Sequence, residues 1–459
     1  MYPRLLLLLA GGTTAAPVYR HQWNSVADMM AMHGQSANAS DSILQFAATH
    51  YGQITTAAPC SRAEYDKGNT MEDLTLDVAR RIKLANPAAL VGMYWRTDFV
   101  GEIASCSNFT AELETTGNSS FLRDDNGNLA LEHGHAVMWD YSNKPGIALF
   151  ARALVNVVKQ TLADGKPILD YLYLDGPDWQ DLPNISKARN ARLKADKLEF
   201  FADLQNQFDQ LPGGSRGIIL NGVDTATTAK SFNPTGVSGM MVDHFTILQF
   251  LLTGEPVNTD ECNVKPPAVC GDFNVSAMDT LFKLVRSKEL SNVTVQVKGW
   301  VGPIIAQRDK WPPQMHTPAD GAEKQAAMAE RFNSELAFFL LVAEDNMWWE
   351  YSWFWGFDSW IPAGMGDPDS SVPKEFFPQA KCALGPPAGA YVKGQKDTCV
   401  CGLYLLWHAT LSLPASAYSA QPTVCLAPCR YTRKFAHADV FVDLRNRTNS
   451  KVTFKGCKY

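Results

Sequence analysis

Residues 171–181 read YLYLDGPDWQD. Tyr171 to Leu174 alternate aromatic and aliphatic side chains, as a buried strand does, and the run then stops on an acid, a glycine and a proline. A strand that carries a carboxylate at its own carboxyl end suits a (β/α)8 barrel, whose active site lies at that face. Seven comparable strands have to be found elsewhere.

They lie between residues 50 and 355. The strand-like stretches are 51–56, 89–95, 135–141, 170–176, 217–223, 239–245, 293–299 and 346–352. Helical periodicity fills most of the intervals. Leu74, Val78, Ile82 and Ala85 fall on one face, and further helices are expected near 146–163, 187–211, 276–290 and 321–344. Between 223 and 239 there is little room for a full helix. Eight strands alternating with helices imply parallel pairing, and eight close a barrel. An open doubly wound sheet would want a glycine-rich phosphate turn after its first strand, and the sequence has none. Beyond 361 the texture changes. IPAGMGDPDSSVP (361–373) has the composition of a linker, and the tail is rich in Cys and Pro and ends in the alternating stretches DVFVDL and KVTFKG. The expected fold is therefore α/β, a (β/α)8 TIM barrel over 17–365 with a small C-terminal disulfide-rich β-domain over 366–459.

The chain has 459 residues, 46% apolar and 19% charged, enough to bury a large core. A net charge of −6 disfavours nucleic acid as a partner, which needs a basic face. MYPRLLLLLAGGTTAA (1–16) has a basic start, a short apolar run and small residues, the pattern of a secretory signal. No later stretch is apolar for long enough to span a membrane. Ten cysteines, an even number, fit an oxidising compartment and disulfides. The six from 382 to 457 are expected to pair among themselves, and Cys262 with Cys270. The spacing of Cys399, Cys401, Cys425 and Cys429 also allows zinc, a weaker reading after a signal segment. Seven N-x-S/T sequons, at Asn38, Asn108, Asn118, Asn184, Asn274, Asn292 and Asn446, add N-linked glycans to the picture of a secreted, extracellular protein.

In a barrel, polar residues at the carboxyl ends of strands are read as functional. The second expected strand ends in Tyr94-Trp95-Arg96, the third in Trp139-Asp140, the fourth in Asp175 and the fifth in Asn221. The sixth ends in Asp243-His244, the seventh in Lys298 and Trp300, and the eighth carries Trp349-Glu350. Asp178 and Trp179 follow on the fourth loop. Acids beside tryptophans point to a carbohydrate site, because sugar rings offer apolar C–H faces to aromatic rings and hydroxyls to carboxylates. Glycoside cleavage needs two carboxyls flanking the bond. Strands four and six stand about 10 Å apart at the usual spacing, so inward side chains from them can reach the separation of about 5–9.5 Å used by the two mechanisms. Asp175 and Asp243 are the expected catalytic pair. Trp95, Arg96, Asp140, Asp178, Trp179, Asn221, His244, Lys298, Trp300 and Glu350 are the expected substrate contacts, with pairing between Lys298 and an acid as the plainer alternative. No metal and no cofactor is expected, and no HExxH, P-loop or GxSxG pattern is present.

On these residues the sequence resembles hypothetical glycoside hydrolases with a TIM-barrel domain. The resemblance rests on ARRIKLANPAALVGMYW (79–95), MWDYSN (138–143), YLYLDGPD (171–178) and GMMVDHF (239–245), with GPPAGAY (385–391) and YTRKFAHADVFVDL (431–444) in the tail. The placement of its acids is also similar to the clan that includes α-galactosidases. That similarity implies the nucleophile role for Asp175 and the acid/base role for Asp243. The hypothetical group often ends its sixth strand in Glu, so Asp243 is one methylene shorter. The strand-seven acid of the cellulase-like clan is absent, Lys298 occupying that region. The implied function is a secreted glycoside hydrolase acting on a poly- or oligosaccharide. The alternative is a non-catalytic carbohydrate-binding or structural glycoprotein on the same scaffold, and a transferase using the same residues is a third reading.

Overall fold

QITT at Gln53–Thr56 forms the second strand of the barrel, not the first. The first is Met29–Met32, a run of MMAM too short and too uniform to show a period. The computed structural model describes residues 16–242, 282–300, 321–352, 376–400, 424–443 and 449–457, apart from short breaks at 27, 33–38, 59, 61, 99–105, 113–119, 133–135, 180, 224–225, 395–397 and 429. The expected linker at 361–373 lies outside the described residues.

The barrel strands are β1 (Met29–Met32), β2 (Gln53–Thr56), β3 (Leu90–Arg96), β4 (Tyr171–Asp175), β5 (Gly217–Leu220), β6 (Gly239–Val242), β7 (Thr294–Trp300) and β8 (Met347–Ser352). They pair in chain order and every pair is parallel. A parallel bridge between Asp28 and Trp349 joins the last strand to the first and closes the barrel. The connecting helices include α1 (Asp41–His50), α2 (Met71–Ala85), α3 (Lys144–Val158), α4 (Lys187–Asp209), α5 (Ala226–Phe232) and α6 (Gly321–Val342). Local chemistry starts them. Ser40 and Thr70 accept the N–H groups of Ile43 and Asp73, and Asn143 accepts that of Gly146. As the short interval between 223 and 239 implied, α5 has seven residues and runs into a 3-10 turn over Asn233–Thr235.

The stretch 135–141 does not join the barrel. Its strand-like pattern is satisfied locally: Ala136–Val137 pairs antiparallel with Leu131–Glu132, and Leu122 donates its N–H to the Met138 carbonyl. It belongs to the long excursion between β3 and α3.

Side chains alternate between two cores. Tyr171, Tyr173, Met29, Ile219, Met241 and Trp348 fill the barrel interior. Gly92 on β3 leaves the space that the Tyr171 ring occupies; a Cβ there would meet the ring at 2.1 Å. Leu172, Leu174, Ile218, Leu220, Val295 and Val297 face outward into the layer beneath the helices. That outer core continues into the tail through Tyr431, Phe435, Val440 and Val442.

In the tail, β9 (Val392–Lys393), β10 (Arg430–Lys434), β11 (Ala438–Asp443) and β12 (Lys451–Phe454) form an antiparallel sheet in the order β9-β10-β11-β12. Arg433 on β10 is buried and donates to the carbonyls of Leu340, Leu341 and Ala343, the open end of α6. A guanidinium there satisfies orphan carbonyls and opposes the negative end of the helix dipole. Cys382 is bonded to Cys457, as the expected pairing within the tail requires, and Cys60 to Cys106. Cys262, Cys270, Cys401 and Cys429 lie outside the described residues.

Residues 20–26, ahead of β1, bind the turn before β8 and the segment 380–385 that follows the barrel. Arg20 pairs with Asp345, and His21 donates its backbone N–H to the Asp345 carbonyl at 2.8 Å. Val26 donates to Ala380, and the Trp23 carbonyl accepts from Leu384 and Gly385. No described helix is long and apolar enough to cross a membrane.

Candidate active site

The inward row of β4 is Tyr171, Tyr173 and then Asp175 at the carboxyl end. In register beside it, β3 brings Tyr94 opposite Tyr173 and Arg96 opposite Asp175. The Tyr94 and Tyr173 rings stack at 5.9 Å. Donors converge on both oxygens of the Asp175 carboxyl. Tyr94 Oη donates to Oδ2 at 2.8 Å, Asn221 Nδ2 to Oδ1 at 2.8 Å, and the Gly176 N–H to Oδ1 at 2.9 Å. Arg96 Nη1 stands 3.7 Å from Oδ2. Every one of these contacts asks the carboxyl to accept, which is what its ionised form does. Its side chain is still 22% exposed, so a ligand in the mouth can reach it.

Burial first, and the Asp175 charge after it, push the Tyr94 phenol well above its ordinary pKa, so the group stays a donor. Arg96 is shared between two acids. Its Nε donates to Asp98 Oδ1 at 3.0 Å and its Nη2 to Asp98 Oδ2, the fork geometry that fixes a guanidinium. Burial opposes the charge on Arg96, yet Asp98 and then Asp175 outweigh it and hold its pKa above the ordinary arginine value. The DGP turn has a matching explanation. Gly176 has φ +64°, and a Cβ on it would stand 2.3 Å from Asp98 Cγ. Only glycine fits where the β4 end turns past the Asp98 carboxylate.

Of the residues expected to touch substrate, Arg96 and Asn221 join Asp175. Lys298 and Glu350 lie opposite each other on the inner faces of β7 and β8, with Nζ 2.8 Å from Oε1 and side chains 0% and 2% exposed. This is the plainer pairing considered for Lys298. Trp95 is turned away from the mouth: it alternates with Tyr94 and Arg96, and so packs outside the sheet against Phe109 and Phe150. Trp179 is no rim wall either. It is buried, its indole N–H donates to Asn190 Oδ1 on α4 at 3.0 Å, and its ring meets Tyr141. Asp178 is exposed on the same loop. Asp140, off the barrel, accepts from the Ser142 N–H and hydroxyl in a turn ahead of α3. Trp300 ends β7, but its side chain, like Asp243 and His244, lies outside the described residues. Met241, two residues before Asp243, faces the interior and accepts from Tyr173 Oη at 2.7 Å.

The sequence reading placed Tyr94 at a strand end without counting it as a contact, and it passed over Asp98. The signal was available: with Arg96 facing inward, period-two alternation assigns 94 and, just past the strand end, 98 to the same side. Among the described residues no three His, Cys, Asp or Glu side chains converge as a metal would need.

No family model matches the chain, and no curated protein matches it. Among solved structures it is similar to an α-amylase from Anoxybacillus, at 9% identity and a TM-score of 0.44 over 96% of this chain and 100% of that one. It is also similar to a GH31 dextranase from Flavobacterium johnsoniae, at 9% identity and a TM-score of 0.43 over 80% of this chain and 39% of that one. Fungal β-1,4-galactanases match at 14% identity and a TM-score of 0.36, over 73% of this chain and 87% of that one. At such distances the likeness carries nothing about chemistry, and the barrel stands on its own strand order.

Proposed function

We propose that the protein is a secreted glycoside hydrolase of poly- or oligosaccharides, with Asp175 as nucleophile and Asp243 as acid/base. The observation that supports it is the Asp175 carboxylate: it stands at the carboxyl end of a barrel strand, oriented by Tyr94, Asn221 and Gly176, and remains open to a ligand. In the retaining scheme an Asp175 oxygen bonds to the anomeric carbon while the C–O bond to the leaving group breaks, and Asp243 gives its proton to the departing oxygen. Asp243 then takes a proton from water, which attacks the same carbon and releases Asp175. Arg96 keeps positive charge beside the nucleophile before and after the ester forms. Asn221 and the Gly176 N–H hold Oδ1, and with it the plane of the carboxyl, while Tyr94 keeps Oδ2 oriented toward the inner row.

Secretion has its own support. The disulfides Cys60–Cys106 and Cys382–Cys457 suit an oxidising compartment. The three sequon asparagines among the described residues, Asn108, Asn184 and Asn292, are all exposed. In this reading residues 1–16 are removed, 17–365 form the catalytic barrel and 366–459 its β-rich tail.

The test is a panel of polysaccharides offered to the secreted protein and to the Asp175→Asn variant. Release of reducing ends by the first and not by the second is expected, with retention of anomeric configuration by NMR. Equal activity of the two proteins would overturn the assignment of Asp175.

A further inference from the structure

On the outside of the barrel, α2 and α3 flank a groove of about 450 Å³. That volume lies within the range of small-molecule sites, about 300–1,000 Å³. Leu76 and Val157, both largely buried, form its narrow floor, and Asp73, Arg80, Asn156, Lys159 and Gln160 make a predominantly polar rim. Asn108, the first residue of an N-F-T sequon, lines the same groove.

Asn108 is exposed, yet the chain under it is fixed. Its backbone N–H donates to both oxygens of the buried Glu72, in the first turn of α2, at 3.2 Å each. The Ser107 hydroxyl donates to the same carboxylate, and the Ser107 N–H to Thr110 Oγ1 at 2.7 Å. Cys106 is bonded to Cys60, and its carbonyl accepts the Met71 N–H at 3.0 Å. A group attached to Asn108 therefore starts from an anchor held on several sides, at the edge of a groove whose rim offers hydroxyl-matching polar groups. Little orienting entropy remains to be lost when such a group lies down.

We infer that this groove is the seat of the first sugars of an N-linked glycan on Asn108. Attachment follows the general chemistry of N-glycosylation. The Asn108 side-chain nitrogen bonds to the anomeric carbon of a lipid-pyrophosphate-linked oligosaccharide supplied by the secretory pathway; the bond from that carbon to the phosphate oxygen breaks, lipid pyrophosphate leaves, and the amide gives up one proton. The N-acetylhexosamine next to the protein then lies in the groove with its hydroxyls toward Asp73, Arg80, Asn156, Lys159 and Gln160. The inference rests on the secretory half of the proposed function and not on the hydrolytic half.

The experiment is to express the full chain through a eukaryotic secretory pathway and map its glycopeptides by mass spectrometry. The native protein is then digested with an N-glycanase, and release is followed at each site. Asn108 is expected to be occupied and to lose its glycan about tenfold more slowly than Asn184 or Asn292, the factor that 1.4 kcal/mol of contact represents. The variant carrying Arg80→Ala and Lys159→Ala should remove most of that difference while Asn108 stays occupied. A bare Asn108 beside occupied Asn184 and Asn292, or equal release rates at all three, overturns the seat and leaves the secretory reading intact. Three bare sites overturn both.

Discussion

Replacing Lys298 with Met should destabilise the barrel by about 3–5 kcal/mol, the range for removing one partner of a buried ion pair. The magnitude follows from the geometry. Nζ and Oε1 are 2.8 Å apart and both side chains are sealed from solvent. At an effective dielectric near 20 the attraction at that distance is about 6 kcal/mol, and the desolvation of both ions cancels much of it. The Lys298→Met variant forfeits the attraction but keeps the burial of the Glu350 carboxylate, so the loss exceeds the pair's net worth. Removing the acid as well, in the variant carrying Lys298→Met and Glu350→Gln, should recover about half of the loss or more. Guanidinium titrations of the three proteins, followed by tryptophan fluorescence and checked for reversibility, give the cycle. A single variant that costs less than about 1 kcal/mol, or a double variant as unstable as the single one, would refute the argument. The double variant also separates roles: if Glu350 touches substrate, sugar binding is lost although stability returns.

Asp175→Asn should lower hydrolysis by at least about a thousandfold, as loss of a catalytic nucleophile does, while the melting temperature moves by only a few degrees; a smaller fall in initial rate would remove Asp175 from the chemistry. Gly176→Ala should cost about 1–3 kcal/mol or more from its left-handed backbone alone, with Asp98 displaced in addition, and a thermal melt indistinguishable from the parent would contradict the close approach. Burial holds the His21 imidazole down at about 4 from an ordinary 6.5, against the Glu344 carbonyl and Asp345, which favour its charge. The folded protein therefore binds fewer protons than the unfolded one, so this stability is complete above about pH 6.5 and is lost as the pH falls from there toward 4. For a half-buried ring the loss is about 2 kcal/mol, and His21→Gln should abolish it in urea titrations run at both ends of that window; the same decline in both proteins would refute it.

Most of the barrel was legible because its strands carry long outer-face apolar runs bounded by turns, and β4 to β8 fall where the pattern put them. Two errors have one cause. Met29–Met32 joins the sheet although MMAM does not alternate, and 135–141 alternates without joining the sheet, since hydrogen-bond partners from 122 to 132 claim it locally. Asp140 was misplaced with that strand. The place of Asp175 at the end of β4 was legible because position on a strand end is a sequence property. Trp95 was misread because strand-end position was weighed without parity, which puts it opposite Arg96. Trp179 is different: whether a loop tryptophan covers a cleft or packs on the next helix depends on Asn190, eleven residues on, and no local pattern encodes that choice.

The seam between β8 and β1 also bears on the order of synthesis. The strands that close the barrel stand at opposite ends of its sequence, so β1 presents one open edge until residue 352 has been made. An emerging chain therefore carries a parallel sheet with two free borders, the state most exposed to wrong pairing. Segments flanking the barrel on both sides later lie across that same join: residues 20–26 reach Asp345, Ala380 and Leu384. Residues 380–385, made after the barrel strands, thus lock residues 20–26, made before them, and breaking either set of contacts would loosen one and the same line of closure.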